Sequence, residues 1–214
     1  MGGVIVCGLL NSFVKKPFEM FETLAIYLVE KGILTQSEQE LIKQVAVFKK
    51  VRKGQLLLEE GKVSNFIGFV AKGSFRLARI GEDGREHIMK FAIENWWISD
   101  FTSFMSGEPS NCYIDALENS ELILFSRETW DHLLATIPNF KRMIDSLTAK
   151  NFEAHQNRIF SNISDPAEVR YDNFVKKYPT LYNRIPLYMI ASFLGIQRET
   201  LSRIRRQAER RDVS

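Results

Sequence analysis

The residues best equipped for chemistry crowd together near the C-terminal end. Arg198, Glu199, Thr200, Ser202, Arg203, Arg205 and Arg206 fall within nine positions, with Leu201 and Ile204 as the apolar members of the run. An arginine near the start of a helix can donate two hydrogen bonds to guanine O6 and N7, and a glutamate can accept from cytosine N4. Thr200 and Ser202 suit phosphate oxygens, contacts that fix register without carrying sequence information. Arg205, Arg206, Arg210 and Arg211 read as phosphate contacts or as solvated charge. The chemistry on offer is therefore recognition of duplex DNA.

Such residues work only if an element presents them. Pro186 suits the opening of a helix, which Leu187–Leu194 continues. Ala191 is small where two helices must cross closely, and Gly195 can take the positive φ of a tight turn. Ile190, Leu194, Ile196, Leu201 and Ile204 then hold a second helix, Arg198–Gln207, against the first. This is the pattern of a helix-turn-helix over about Ile185 to Arg206, whose second helix enters the major groove. Charge distribution agrees with it. Over residues 184–214 seven arginines face Glu199, Glu209 and Asp212, a balance of +4, and the preceding 183 residues carry −1. A basic tail on a near-neutral body suits a polyanion.

Catalytic and metal chemistry find little material. Cys7 and Cys112 lack the spacing of a metal site or of a disulfide framework, and read as thiols in a reducing cytoplasm. No nucleophile stands beside a base, and no glycine loop suits a phosphate. His87, His132 and His155 are scattered, so each reads as a packed or exposed histidine rather than a haem ligand. No cofactor and no metal are expected. No apolar run approaches the ~20 residues of a membrane span, and Val4–Leu10 lacks the basic flank of a signal peptide. A folded, soluble, cytoplasmic protein with no membrane contact is the expectation.

The preceding elements supply the scaffold. Phe21 to Gly32 predicts a short amphipathic helix ending at Gly32. Thr35 and Glu38 then have the spacing of a capping box for a second helix. From Val47 to Ser126, short runs rich in Val, Ile, Phe and Leu are broken by glycines. Asp83-Gly84 predicts a tight turn between Phe75–Ile80 and Arg85–Phe91. Later strands are Tyr113–Leu117 and Glu121–Phe125, and the spacing suits a small barrel or jelly roll. In this region Trp96, Trp97, Phe101, Phe104 and Met105 line either an apolar pocket or plain packing. Helices return at Arg127–Thr136, from Pro138 to about Phe160, and at Pro166–Lys177. Along the long helix Phe140, Ile144, Leu147, Asn151 (or Phe152), His155 and Ile159 recur at threes and fours. They suit either a seam with a second copy of the chain or a core stripe.

At this point a family resemblance enters. Gln197-Arg198-Glu199-Thr200-Leu201-Ser202-Arg203-Ile204 closely resembles the recognition helix of the cyclic AMP receptor protein and fumarate–nitrate regulator (Crp/Fnr) family of transcription regulators. The β region resembles that family's sensor domain in Gly54-Gln55-Leu56-Leu57-Leu58 with Gly61, in Phe66–Gly73 and in the Asp83-Gly84 hairpin. The similarity covers about residues 21–207. It implies an α+β chain: an N-terminal jelly-roll sensor domain of cyclic-nucleotide-binding type, a long dimerisation helix and a C-terminal helix-turn-helix domain of winged-helix-like type. The corresponding divisions are 1–19 as an N-terminal extension, 20–137, 138–162 and 163–214. It also implies a homodimer on a pseudo-palindromic DNA site. By residue match Arg198, Glu199 and Arg203 are the base readers, and Thr200, Ser202, Arg205 and Arg206 are the phosphate contacts. RNA polymerase and an unidentified small-molecule effector are further partners compatible with that reading.

The sequence departs from the family at the ligand pocket. Members that bind a cyclic nucleotide carry a Gly-Glu pair for the ribose, then Arg followed by Ser or Thr for the phosphate. The matching positions here are Ser99-Asp100 and Ser110-Asn111, a degenerate effector pocket. Phe91–Ser126 contains no Lys or Arg, so a buried phosphate would lack a compensating cation there. The expectation is an effector other than cyclic AMP, or none. The rival function is a ligand-binding or scaffold module whose terminal helices make protein contacts.

Overall fold

A computed structural model describes the backbone of residues 7–211 and the side chains of residues 19–208. The chain divides into two compact units. Among the described residues the first comprises 7–75 and 92–145, and the second 76–91 and 146–211.

The first unit is an antiparallel β-sandwich with helices at its margins. Strands β1 (Val47–Val51), β8 (Ser120–Ser126), β3 (Phe66–Lys72) and β6 (Trp97–Ile98) form one sheet in the order β1-β8-β3-β6, and β2 (Leu56–Leu58) pairs with β7 (Tyr113–Ala116). The register of β1 on β8 sets Lys50 opposite Glu121, and their charges meet at 3.2 Å. Ile67, Phe69, Ile123 and Phe125 share one face of this sheet and Val70 and Leu122 the other, all essentially out of water. Burial on both sides of the central strands explains why they read as continuous apolar runs rather than alternating ones.

Aromatic rings continue this core into the helices. Tyr27 of α1 (Cys7–Gly32) lies 5.1 Å from Phe69, and Phe69 lies 5.2 Å from Trp97. Trp97 is followed at 5.3 Å by Trp130 of α4 (Arg127–Thr136), and Trp130 at 5.3 Å by Phe140 of α5 (Pro138–Ser164). Such edge and tilted pairs add to what their buried area contributes. Phe104 of α3 (Phe101–Ser106) is buried as well, whereas Phe101 and Met105 are half exposed. The aromatic group of this region therefore serves packing through Trp97 and Phe104, with Trp96 partly buried and Phe101 and Met105 half exposed.

Two local expectations need correction, and a third holds for a different reason. Helix α1 begins at Cys7, so the pattern legible from Phe21 is only its C-terminal part; the side chains of residues 7–18, with Cys7 among them, and the proposed extension over 1–19 lie largely outside the described residues. Gly32 is the last residue of α1, as the sequence suggests, but the left-handed residue is the next one. Ile33 takes the positive φ of 54°, while a Cβ on Gly32 would fall on Leu34 Cδ1 and 3.0 Å from Met143 Sδ. Both atoms lie toward the ends of flexible side chains, so glycine at 32 spares a local side-chain shift. Phe140 belongs to the core of the first unit and is fully buried, so the first position of the supposed seam is internal. The capping box does form on α2 (Gln36–Val45): Thr35 N donates to Glu38 Oε2 at 2.8 Å and Glu38 N to Thr35 Oγ1 at 3.4 Å.

The second unit combines a hairpin, the later part of α5 and three helices. Strands β4 (Phe75–Ile80) and β5 (Glu86–Ala92) meet at Asp83-Gly84, where Gly84 has φ 75° and Gly81 N donates to Arg85 O at 2.8 Å. Helices α6 (Ala167–Lys177), α7 (Leu187–Leu194) and α8 (Arg198–Arg211) enclose a core of Tyr171, Phe174, Tyr178, Leu181, Ile190, Leu194, Leu201 and Ile204. Phe91 joins that core, 5.2 Å from Phe193 and 6.3 Å from Phe174.

Candidate nucleic-acid interface and effector pocket

The turn between α7 and α8 is closed by backbone hydrogen bonds. Ile196 N donates to Ala191 O at 3.0 Å and Gly195 N to Ser192 O at 3.2 Å, with Gly195 at φ 64°. This paired arrangement is a Schellman motif, which satisfies helix-end carbonyls and requires one left-handed residue. Pro186 stands one position earlier than the sequence suggests, as the N-cap of α7 rather than its first helical residue. Arg170 of α6 donates from Nη1 to Leu194 O at 2.8 Å, so a second helix also ties down the end of α7.

Helix α8 is fixed by Leu201 and Ile204, which are 0% and 3% exposed. Burying two such side chains contributes roughly 1.5–3 kcal/mol each. Their burial turns Arg198, Glu199, Arg203 and Arg206 to solvent. Glu199, Arg203 and Arg206 recur at i, i+4 and i+7, which sets them along one stripe. Thr200, Ser202 and Arg205 sit at the flanks, half-buried. The Arg205 guanidinium lies 5.3 Å over the Tyr182 ring, and Arg206 Nε donates to Ser202 O at 3.4 Å. The side chains of Arg210 and Arg211 lie outside the described residues.

The degenerate pocket is closed on itself. Asp100 caps α3, its Oδ1 accepting from Thr102 N at 3.1 Å and Ser103 N at 3.3 Å. Its Oδ2 accepts from Ser110 Oγ at 2.5 Å, and Ser110 is 2% exposed. Ser99 donates from Oγ to Phe66 O at 2.9 Å and lies 3.2 Å from Ser64 Oγ. Asn111 is exposed and takes no part in this network. Arg127, the first basic residue after the stretch that lacks Lys and Arg, donates to the carbonyls of Phe104 and Met105. The structure thus brings Asp100 and Ser110 together, places Ser99 on a neighbouring bond and leaves Asn111 apart. What they form is a cap-and-strand junction with its polar groups already partnered.

Several neighbours of α7 could not be picked out in the sequence. Ser192 Oγ donates to Glu86 O at 3.0 Å and accepts from Ile88 N at 3.0 Å, which pins the β4–β5 hairpin to the first helix of the helix-turn-helix. These partners are more than a hundred positions apart, and no local spacing announces them. Among the described residues no group of His, Cys, Asp or Glu is placed to hold a metal ion, and no helix is long and apolar enough to cross a membrane.

In chain order the molecule carries a β-sandwich, a long helix and a helix-turn-helix. Comparisons with known proteins agree. Residues 48–137 match the family model of the cyclic nucleotide-binding domain. Over 183 residues the chain is 23% identical to a protein of Rhizobium leguminosarum bv. viciae named "Probable transcriptional activator", covering 80% of this chain and 75% of that one. FixK2 from Bradyrhizobium japonicum has the same fold, with a TM-score of 0.68 at 18% identity over 78% of this chain and 86% of its own. A transcriptional regulator described as of the crp/fnr family, from Eubacterium rectale, aligns with a TM-score of 0.60 at 18% identity, covering 82% and 84%. The resemblance to the Crp/Fnr regulators, drawn first from the recognition helix, therefore holds for the fold of the chain.

Proposed function

We propose that this protein is a sequence-specific transcription regulator of the Crp/Fnr type that binds a pseudo-palindromic duplex site as a homodimer. The observation that carries the proposal is the outer surface of α8: Leu201 and Ile204 are buried while Arg198, Glu199 and Arg203 face solvent. In this reading Arg198, Glu199 and Arg203 contact bases in the major groove. Thr200, Ser202, Arg205 and Arg206 contact phosphates, with Tyr182 supporting the Arg205 guanidinium. The working division is a sensor over 20–137, a dimerisation helix over 138–162 and a DNA-binding domain over 163–214.

The dimer reading draws on α5. Phe152, Ile159, Phe160 and Ile163 are 66%, 55%, 69% and 83% exposed, and large apolar side chains gathered on one helix mark an interaction surface. The effector is something other than cyclic AMP, or absent, because Asp100 and Ser110 satisfy each other without any cation. The regulator acts in the cytoplasm, performs no catalysis and meets RNA polymerase where its site adjoins a promoter.

Fluorescence anisotropy on a duplex carrying the bound site tests the proposal. Binding should weaken steeply with salt, as phosphate neutralisation requires. Arg203→Ala should weaken it by about 1–3 kcal/mol, the range for one bidentate base contact. A scaffold whose terminal helices contact protein would show neither behaviour.

A further inference from the structure

A cavity of about 260 Å³ opens within the second unit, walled by the later part of α5, by α6 and by the end of α7. Three of its lining residues are cations, Arg158, Arg170 and Lys177, and none is a carboxylate. Phe174, Tyr178 and Phe193 supply an aromatic wall, with ring centroids 4.9 to 5.9 Å apart.

None of the three cations forms an ion pair among the described residues. Arg158 donates from Nη1 to Met89 O at 2.8 Å, and its guanidinium lies 4.9 Å from the centre of the Phe193 ring. Arg170 donates to Leu194 O, while its Nε is buried with no partner among the described residues. Lys177 Nζ lies 5.7 Å from the Tyr178 ring centre. The nearby carboxylate of Asp165 is engaged by Ser161 Oγ at 2.6 Å.

The cations of this region act on a neighbouring histidine and on one another. Burial lowers the His155 pKa, and the charges of Arg158, Lys90 and Lys177 lower it further. Burial and then Arg158 act on Lys177 in the same sense. Gathering like charges in a partly dry region is unfavourable, and an anion would relieve it.

We propose that this cavity is a binding site for a compact organic anion built on one flat ring, stacked on Phe174, Tyr178 and Phe193 and neutralised by Arg158, Arg170 and Lys177. Its volume lies just below the range of drug-sized pockets, which suits a single ring with one phosphate or carboxylate group. The site is separate from the degenerate pocket of the first unit. It stands whether or not α8 reads DNA.

Ligand-observed fluorine NMR on the full chain tests this with 4-fluorophenyl phosphate as the probe. Saturable binding is expected, with inorganic phosphate and 4-fluorophenol each at least tenfold weaker, because one lacks the ring and the other the charge. Lys177→Gln, at an exposed position that leaves the core intact, should weaken the probe at least fivefold. Arg203→Gln should leave it within twofold, which separates the cavity from general anion binding along α8. The proposal is overturned if the probe shows no saturation into the millimolar range, if inorganic phosphate binds as well as the probe, or if Lys177→Gln binds like the parent.

Discussion

The turn of the helix-turn-helix makes a quantitative demand on one residue. Gly195 adopts φ 64°, and a Cβ built on it would meet only Arg170 Nη1, at 3.7 Å, an ordinary contact distance. Gly195→Ala therefore introduces no collision. Its cost is the left-handed conformation itself, about 1–2 kcal/mol for an L-residue. Thermal unfolding of a chain this long shifts roughly 2–4 °C per kcal/mol, so the melting temperature should fall by about 2–8 °C. Gly195→Asn should lose less, because asparagine tolerates this region better than alanine. Differential scanning calorimetry on the three proteins provides the comparison. A loss well above the strain cost would mean that the site is sterically closed. No loss would mean that the turn does not hold a positive φ. Either result would refute the geometry on which the presentation of α8 depends.

Other consequences are equally direct. Ile33 is a β-branched residue at φ 54° and is 82% exposed; Ile33→Asn should stabilise the protein by about 1 kcal/mol, and a lower melting temperature would contradict the assignment. Burial brings the Lys90 ammonium down from 10.5 to about 8. Its charged form thus opposes folding fully below pH 8, and stability recovers as pH rises from about 8 through 10.5, with a ceiling of about 3 kcal/mol. Lys90→Met should accordingly gain stability at pH 7 and lose that advantage toward pH 10.5 in urea titrations, and a constant difference across this window would be the contrary result. Cyclic AMP should leave the melting temperature unchanged, whereas a ligand at a hundred times its Kd adds about 2.7 kcal/mol; a clear upward shift would show that Asp100 and Ser110 open to receive it.

Much of the fold was legible because its signals are local. Thr35 and Glu38 lie three residues apart, Asp83-Gly84 occupies the turn it suits, and Ala191, Gly195, Leu201 and Ile204 fall within fourteen positions. Each reports a backbone need or a helical face that neighbouring residues alone define. The packing around Gly32 was not legible because Met143 lies more than a hundred residues away. Phe140 has the spacing of a seam, yet Trp130 takes it into the core of the first unit. Spacing identifies an apolar face and says nothing of what covers it. The cavity cations were invisible for the same reason: Arg158, Arg170 and Lys177 come from two helices, and Phe193 from a third. The α8 residues could be picked out because one short helix carries them all.

Selection of binding sites from randomised duplex DNA by the purified full chain tests the central claim most directly. The account predicts enrichment of a two-fold pseudo-palindrome with half-site centres about one helical turn apart, roughly 10–10.5 base pairs. Repeating the selection with Arg203→Ala should relax the preference at one position in each half-site. Failure to enrich any sequence, with the parent and Arg203→Ala retaining the same weak, salt-dependent binding, would contradict the assignment of α8 as a reader of DNA.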